Sequence, residues 1–120
     1  ELGLLSEAQA QQEHQYRAAQ REALIKFLRS RGSLTDNSAD PGAVLAAWLT
    51  FLAQNDEEFL LINLEDLWLE PLPQNTPGTW QERPNWQRKA HLPLETICEM
   101  GSVVEVLKTI GDIRGPDKIK

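Results

Sequence analysis

Side chains suited to binding a sugar are concentrated in one short stretch of the sequence. The stretch reads Gln74-Asn75-Thr76-Pro77-Gly78-Thr79, then Glu82, then Pro84-Asn85-Trp86-Gln87-Arg88. Sugars have apolar ring faces and many hydroxyl groups, so their sites combine a stacking aromatic ring with planar hydrogen-bonding side chains. Asn75 and Asn85 can donate and accept hydrogen bonds, and Trp80 or Trp86 can stack. Asparagine beside proline also forms turns, and a loop tryptophan can simply cover a core, so a structural role stays open.

The segment that carries these residues, from Pro71 to Pro93, is predicted to be a long loop. It contains five prolines, each of which removes a backbone hydrogen-bond donor. It is unlike a flexible linker, because Trp80 and Trp86 are costly to leave in water. A long loop that bears aromatic residues is typical of a functional loop.

An apolar run precedes this loop at Phe59-Leu60-Leu61-Ile62-Asn63-Leu64. Its consecutive apolar positions predict a strand that is buried on both faces, as in parallel sheets. A single strand leaves its peptide groups unpaired, so we expect its neighbours to come from elsewhere in a longer protein or from a second copy. The apolar start at Glu1–Leu5, which has no initiating Met, also favours a truncated chain.

Helices are predicted on both sides of the strand and loop. Ser6 and Gln9 form a plausible capping box for a helix to about Arg31, polar in its first half and amphipathic in its second. The apolar stripe of this helix contains Tyr16, Ala19, Ala23 and Phe27, with Leu24 and Leu28 beside it. Gly32 is the expected stop.

A second helix follows the loop predicted at residues 33–39. Asp40 and Pro41 are the residues expected at its N-cap and first turn, and it should run to about Ala53. Its expected buried face contains Val44, Leu45, Trp48, Leu49 and Leu52. Two closing helices, from Leu94 to about Met100 and from Ser102 to about Ile113, precede a charged tail at Gly115–Lys120.

Composition excludes several classes of function. The net charge of −6 argues against nucleic-acid and anionic-membrane partners, which require clustered Lys and Arg. Cys98 is the only cysteine, so we expect a buried, inert thiol in a cytoplasmic protein. The turn at Asp56-Glu57-Glu58 has no metal-site pattern, and no cofactor is predicted.

Several uncommon residues recur in the order and spacing of a known enzyme family. The elements are Leu64-Glu65-Asp66-Leu67, Asn75 to Thr79, Glu82, and Pro84 to Arg88. Together they resemble the C-terminal end of the amylomaltases, the 4-α-glucanotransferases that include plant disproportionating enzymes. The resemblance implies an α/β fold class: the C-terminal portion of a (β/α)8 TIM-type barrel, mostly helical, with one buried strand at about residues 59–64.

The family implies cleavage of an α-1,4-glucan and transfer of the glucosyl chain to glucose or a maltodextrin. Its catalytic carboxylates lie upstream of the region resembled here, and the third belongs to a His-Asp-Thr motif. Neither His14 nor His91 is followed by Asp-Thr. The expected partners are therefore the glucan substrate and the upstream remainder of the barrel, and no catalytic residue is assigned to this chain.

The resemblance also gives roles to individual residues. Those expected to bind substrate are Asn85, Trp86, Asn75, Pro77 and Gly78, at the carboxyl end of the last barrel strand. Arg88 is expected to anchor the loop by pairing with Glu82 or Glu65. Trp80-Gln81 and Gln87 depart from the family pattern.

Glu65 and Asp66 are poor candidates for a catalytic pair, because such carboxylates face each other across the sugar from different strands. Capping or salt bridging suits them better. The expected layout is a helical region at 1–53, the strand at 58–64, the loop at 65–93 and the closing helices at 94–114. The alternative interpretation is a non-catalytic helical module for protein interaction or carbohydrate binding.

Overall fold

Helices provide all the regular structure in the residues that the computed structural model describes, which are 5–35, 40–83 and 85–115. The elements are α1 (Glu7–Ser30), α2 (Pro41–Ala53), a 3₁₀ helix (Leu64–Trp68), α3 (Leu94–Glu99) and α4 (Gly101–Arg114). Four features of the sequence lie outside the described residues: the apolar start at 1–4, positions 36–39 of the first loop, Pro84, and the tail at 116–120.

Local signals set both ends of α1 as predicted. The side chain of Ser6 accepts a hydrogen bond from the Gln9 amide at 3.3 Å, and Gln9 Oε1 accepts one from the Ser6 amide at 2.9 Å, which completes the capping box. At the other end Gly32 takes φ 69°, and the Ser33 amide donates to the Leu28 carbonyl at 3.0 Å. This is the bond pattern of a Schellman motif, which glycine favours.

The central helix is α2, which packs against α1 on one side and α4 on the other. Its start is the predicted one, since the Asp40 carboxylate accepts from the Ala43 amide at 2.9 Å and Pro41 opens the first turn. The buried residues around α2 form two clusters: Ile25, Leu28, Leu34, Val44 and Ala47 in the first, and Leu49, Ala53 and Ile110 in the second. Two packed faces explain why α2 is apolar nearly all round.

The first half of α1 extends beyond this core. The last turns of α1 are the part that contacts α2. There Phe27 packs edge-on against Phe51 at a ring separation of 5.0 Å. Tyr16, which the sequence placed on the same stripe as Phe27, is exposed. The predicted projection of the polar half into solvent is therefore present, and the apolar stripe is shorter than predicted.

The predicted strand at Phe59–Leu64 is wrong, and the α/β fold class with it. Exposure alternates along this segment: Phe59 and Leu61 are 77% and 92% exposed, whereas Leu60 and Ile62 pack on the second cluster. Such alternation belongs to an extended chain covered on one face, and the described residues contain no strand that pairs with it. The described chain is all-helical, so a portion of a TIM barrel with a buried strand does not describe it.

The extended segment ends where the long loop begins. At its start, Arg114 of α4 donates through Nη2 to the carbonyls of Glu57 and Glu58 at 2.7 and 3.0 Å. At its end, Leu64 opens the 3₁₀ helix, and Leu67 packs on the second cluster. The helical core therefore fixes the position from which the loop at residues 69–93 departs.

The expectation of a buried thiol is also wrong. Cys98 is exposed, while its neighbour Ile97 is buried. Adjacent positions on a helix point about 100° apart, so a short helix such as α3 that buries Ile97 turns Cys98 towards solvent.

In the same described ranges, no helix combines the length and apolar character needed to cross a lipid bilayer.

The one-sided burial of the extended segment predicts opposite results for adjacent substitutions. Ile62→Lys should lower the free energy of unfolding by about 2 kcal/mol, since it places a charge against the second cluster. Leu61→Lys should change it by less than about 0.5 kcal/mol, because the side chain already faces solvent. Urea unfolding followed by circular dichroism measures both. Equal losses would instead support a strand buried on both faces.

Candidate functional site

A tight turn forms the tip of the long loop. The Thr79 amide donates to the Thr76 carbonyl at 3.2 Å, and Gly78 takes φ 82°. Proline followed by glycine at positive φ is the arrangement of a type II turn. Pro77 and Gly78, which the resemblance marks as substrate-binding, are thus the residues that build the turn, and both are exposed.

The carboxamide of Asn85 holds this turn from the other side of the loop. Its Oδ1 accepts from the Thr76 amide at 2.8 Å, and its Nδ2 donates to the Thr79 carbonyl at 3.1 Å and to Thr79 Oγ1 at 3.2 Å. Thr79 is buried, and its hydroxyl donates to the Thr76 carbonyl at 2.7 Å. Asn85 therefore acts in this structure as an internal tie.

Arg88 closes the base of the loop. Its Nη2 lies 2.9 Å from Glu65 Oε1 and donates to the Leu72 carbonyl at 2.8 Å, while its Nη1 lies 3.4 Å from Glu70 Oε2. The side chains of Arg88 and Glu65 are only 26% and 16% exposed, so water screens this pair weakly. Arg88 thus pairs with Glu65, one of the two carboxylates named from the sequence.

Glu82, the other carboxylate named from the sequence, has a different contact. Its Oε2 accepts from the Trp80 amide at 3.3 Å. The second carboxylate beside Arg88 is instead Glu70, which the sequence did not single out. Glu70 also accepts a hydrogen bond from the Leu72 amide at 3.1 Å, so it secures the backbone as well as the guanidinium.

Gln74 links the base of the loop to its tip. Its side-chain Nε2 donates to Glu65 Oε1 at 2.9 Å, and its main-chain carbonyl accepts from the Trp86 amide at 2.8 Å. Nothing in the sequence pointed to this role. Because hydrogen bonds to backbone carbonyls require no particular residue type at the acceptor, they leave no signature in the sequence.

Trp86 has a backbone conformation that is unusual for a large side chain. Its φ is 61°, in the left-handed region, and its side chain is 75% exposed. This conformation costs a residue other than glycine about 1–2 kcal/mol. Trp80, on the same loop, is 79% exposed. A strained backbone that presents an aromatic ring to solvent is the kind of outlier that accumulates at ligand sites.

Two hollows flank Trp86. The tryptophan hollow, of about 560 Å³, is lined by Asn75, Trp80, Gln81, Asn85, Trp86 and Gln87. The acidic hollow, of about 420 Å³, has walls that include Asn63, Glu65, Asp66, Glu70 and Gln74. Asn75 and Trp86 line both. The tryptophan hollow thus combines two indole rings with four amide side chains, the combination that suits a neutral polyhydroxyl ligand.

The described residues include one site carboxylate, Glu65, that is held by internal contacts. They contain no group of three or more His, Cys, Asp or Glu side chains placed to hold a metal ion. Glu65 is occupied by Arg88 and Gln74, and Asp66 lies beside it in the 3₁₀ helix. The Glu65 carboxylate thus has a structural role in this loop.

Arg88 should be the residue on which loop order depends most. Arg88→Met leaves two part-buried carboxylates without a cation, which should favour local opening by about 2 kcal/mol. Trypsin cleavage after Lys89 should then accelerate by roughly tenfold or more. Arg17→Met is the control, because it removes the exposed Arg17–Glu13 pair on α1 and should leave this rate unchanged. An unaltered rate in Arg88→Met would show that the loop is held by other contacts.

Comparison of the chain with models of protein families, with curated proteins and with solved structures finds no match. The resemblance to the glucanotransferases is therefore carried by the motif residues alone.

Proposed function

We propose that this chain is the glucan-contacting part of a 4-α-glucanotransferase, with the tryptophan hollow as its substrate surface. One observation carries the proposal: the separated motif residues are joined into a single hydrogen-bonded unit. Glu65 meets Arg88 across 23 positions, and Thr76 meets Asn85 across nine. A motif whose members contact one another has a physical reason for its spacing.

The chemistry of the hollow suits an α-1,4-glucan. The apolar face of a glucosyl ring stacks on Trp86 or Trp80, and the planar side chains of Gln81, Gln87 and Asn75 bind its hydroxyl groups. The ligand is neutral, so binding requires no positive patch. Asn85 supports this surface indirectly, since its carboxamide fixes the turn beside Trp86.

The chemical step belongs to the upstream remainder of the enzyme in this proposal. The chain contributes substrate contacts, and the carboxylates that cleave the glycosidic bond come from sequence before Glu1. We place the protein in the cytoplasm, where maltodextrins are metabolised and where a single cysteine fits a reducing compartment.

A non-catalytic, carbohydrate-binding or protein-binding helical module is the second candidate. The all-helical fold of the described residues favours it, because no strand there needs a sheet from another part of the protein. The exposed Phe59 and Leu61 would then serve a protein partner. Failure of maltodextrins to bind, together with an intact helical fold, would support the protein-binding form.

Substitution of Trp86 should weaken ligand binding and leave the stability of the fold nearly unchanged. Trp86→Gly removes the stacking ring and should weaken maltohexaose binding about tenfold or more. Relief of the left-handed strain and the flexibility of glycine nearly cancel, so the free energy of unfolding should change by less than about 0.5 kcal/mol. Calorimetric titration and urea unfolding measure the two effects.

The matched control for this substitution is Trp68→Phe. Trp68 lies in the 3₁₀ helix, and its buried Nε1 has no hydrogen-bond partner among the described residues. Its replacement should leave maltohexaose affinity intact. If the wild type and Trp86→Gly bind maltohexaose with equal affinity, the tryptophan hollow is not the substrate surface.

The isolated chain should not transfer glucosyl units. Incubation with maltotriose should release no glucose above the background rate, because the catalytic carboxylates are not in this chain. Glucose release is read by a coupled enzymatic assay, with heat-denatured chain as the control. Brisk release would contradict the assignment of the chemistry to upstream sequence.

A further inference from the structure

The acidic hollow has no role in the contacts proposed so far, although it adjoins the tryptophan hollow. The two concavities share Asn75 and Trp86 as a common wall. A glucan of several units that stacks on Trp86 can therefore extend across this wall from one hollow into the other. What it meets there depends on which groups of the acidic hollow are still able to bind.

Two of the carboxylates in the acidic hollow are occupied by internal contacts. Glu65 Oε1 accepts from Gln74 and from Arg88, both at 2.9 Å. Glu70 accepts from the Leu72 amide and lies beside Arg88. These two side chains hold the loop, so a ligand that took their hydrogen bonds would do so at the expense of the fold.

Asp66 differs from these two carboxylates because it bears no ion pair among the described residues. It is exposed, its Oδ1 accepts one hydrogen bond, from Asn63 Nδ2 at 3.0 Å, and its Oδ2 accepts none within the described residues. A carboxylate can only accept hydrogen bonds, and bonds to a charged acceptor are stronger than those between neutral groups. The neighbouring hydroxyl groups of a sugar ring are donors that suit it.

We propose that the acidic hollow is a second glucosyl subsite, in which Asp66 accepts hydrogen bonds from hydroxyl groups of a glucan that crosses Trp86. The proposal rests on the proposed function of the tryptophan hollow and deepens it. The ligand is a neutral α-glucan of several units. A short sugar occupies the tryptophan hollow alone, whereas a longer one reaches Asp66.

A subsite at Asp66 makes the affinity depend on the length of the glucan, and this dependence requires the Asp66 carboxylate. In the wild type, affinity should rise from maltose through maltotriose to maltohexaose. Asp66→Asn keeps the shape of the residue and the acceptor for Asn63 but removes the charge. It should weaken maltohexaose binding by about tenfold and leave maltose binding unchanged.

Calorimetric titration of the full 120-residue chain with the three sugars tests this, with Asp112→Asn on α4 as the control for loss of one surface carboxylate. Circular dichroism and the unchanged affinity for maltose verify that Asp66→Asn retains its fold. If the variant unfolds, the wild-type comparison still decides, since equal affinity for maltose and maltohexaose overturns a second subsite.

The remaining outcomes separate the two proposals. Length-dependent binding that Asp66→Asn leaves untouched overturns the role of Asp66 and leaves the tryptophan hollow as a glucan site. Absence of binding by all three sugars overturns the proposed function and the second subsite together. Loss of length dependence in Asp66→Asn, with maltose affinity preserved, is the result that supports the subsite.

Discussion

The guanidinium of Arg88 is the interaction on which the geometry of the loop depends. In its described residues, the loop has no helix or strand between the 3₁₀ helix and α3, so no ladder of backbone hydrogen bonds holds it. Arg88 brings its end back to its beginning, through Glu65, Glu70 and the Leu72 carbonyl. Charge-assisted bonds of this kind are stronger than neutral ones, and they fix direction as well as distance.

Because Arg88 orders the base of the loop, the loop can keep the strained backbone of Trp86. A tryptophan keeps a backbone in the left-handed region only where the surrounding contacts determine that conformation. For Trp86 these contacts are its own amide bond to the Gln74 carbonyl and the bonds of the preceding Asn85 to Thr76 and Thr79. Gln74 in turn is held by Glu65. The exposed ring is therefore connected to the helical core by a continuous set of polar contacts.

The sequence predicted those parts of the fold whose signals are local. A capping box, an Asp-Pro start and a glycine stop each act within a few residues, and they define α1 and α2 as expected. The segment at 59–64 could not be predicted in this way, because an apolar run does not reveal how many of its faces a distant element covers. Here α2 and α4 cover one face, so Leu60 and Ile62 are packed and Leu61 is not.

The same distinction decides what could be predicted about the site. A pairing of Arg88 with Glu65 was foreseeable as one of two options because opposite charges limit the choice. The bonds from the Thr79 hydroxyl to the Thr76 carbonyl and from the Trp86 amide to the Gln74 carbonyl leave no trace in residue types. For Asn85 the resemblance implied contact with substrate, yet both atoms of its carboxamide are occupied within the loop. Both hydrogens of its amide serve the turn, so Asn85 could donate to a sugar only by releasing the turn it holds. In the proposed site Asn85 fixes where the ring of Trp86 stands, and that exposed ring offers the stacking surface.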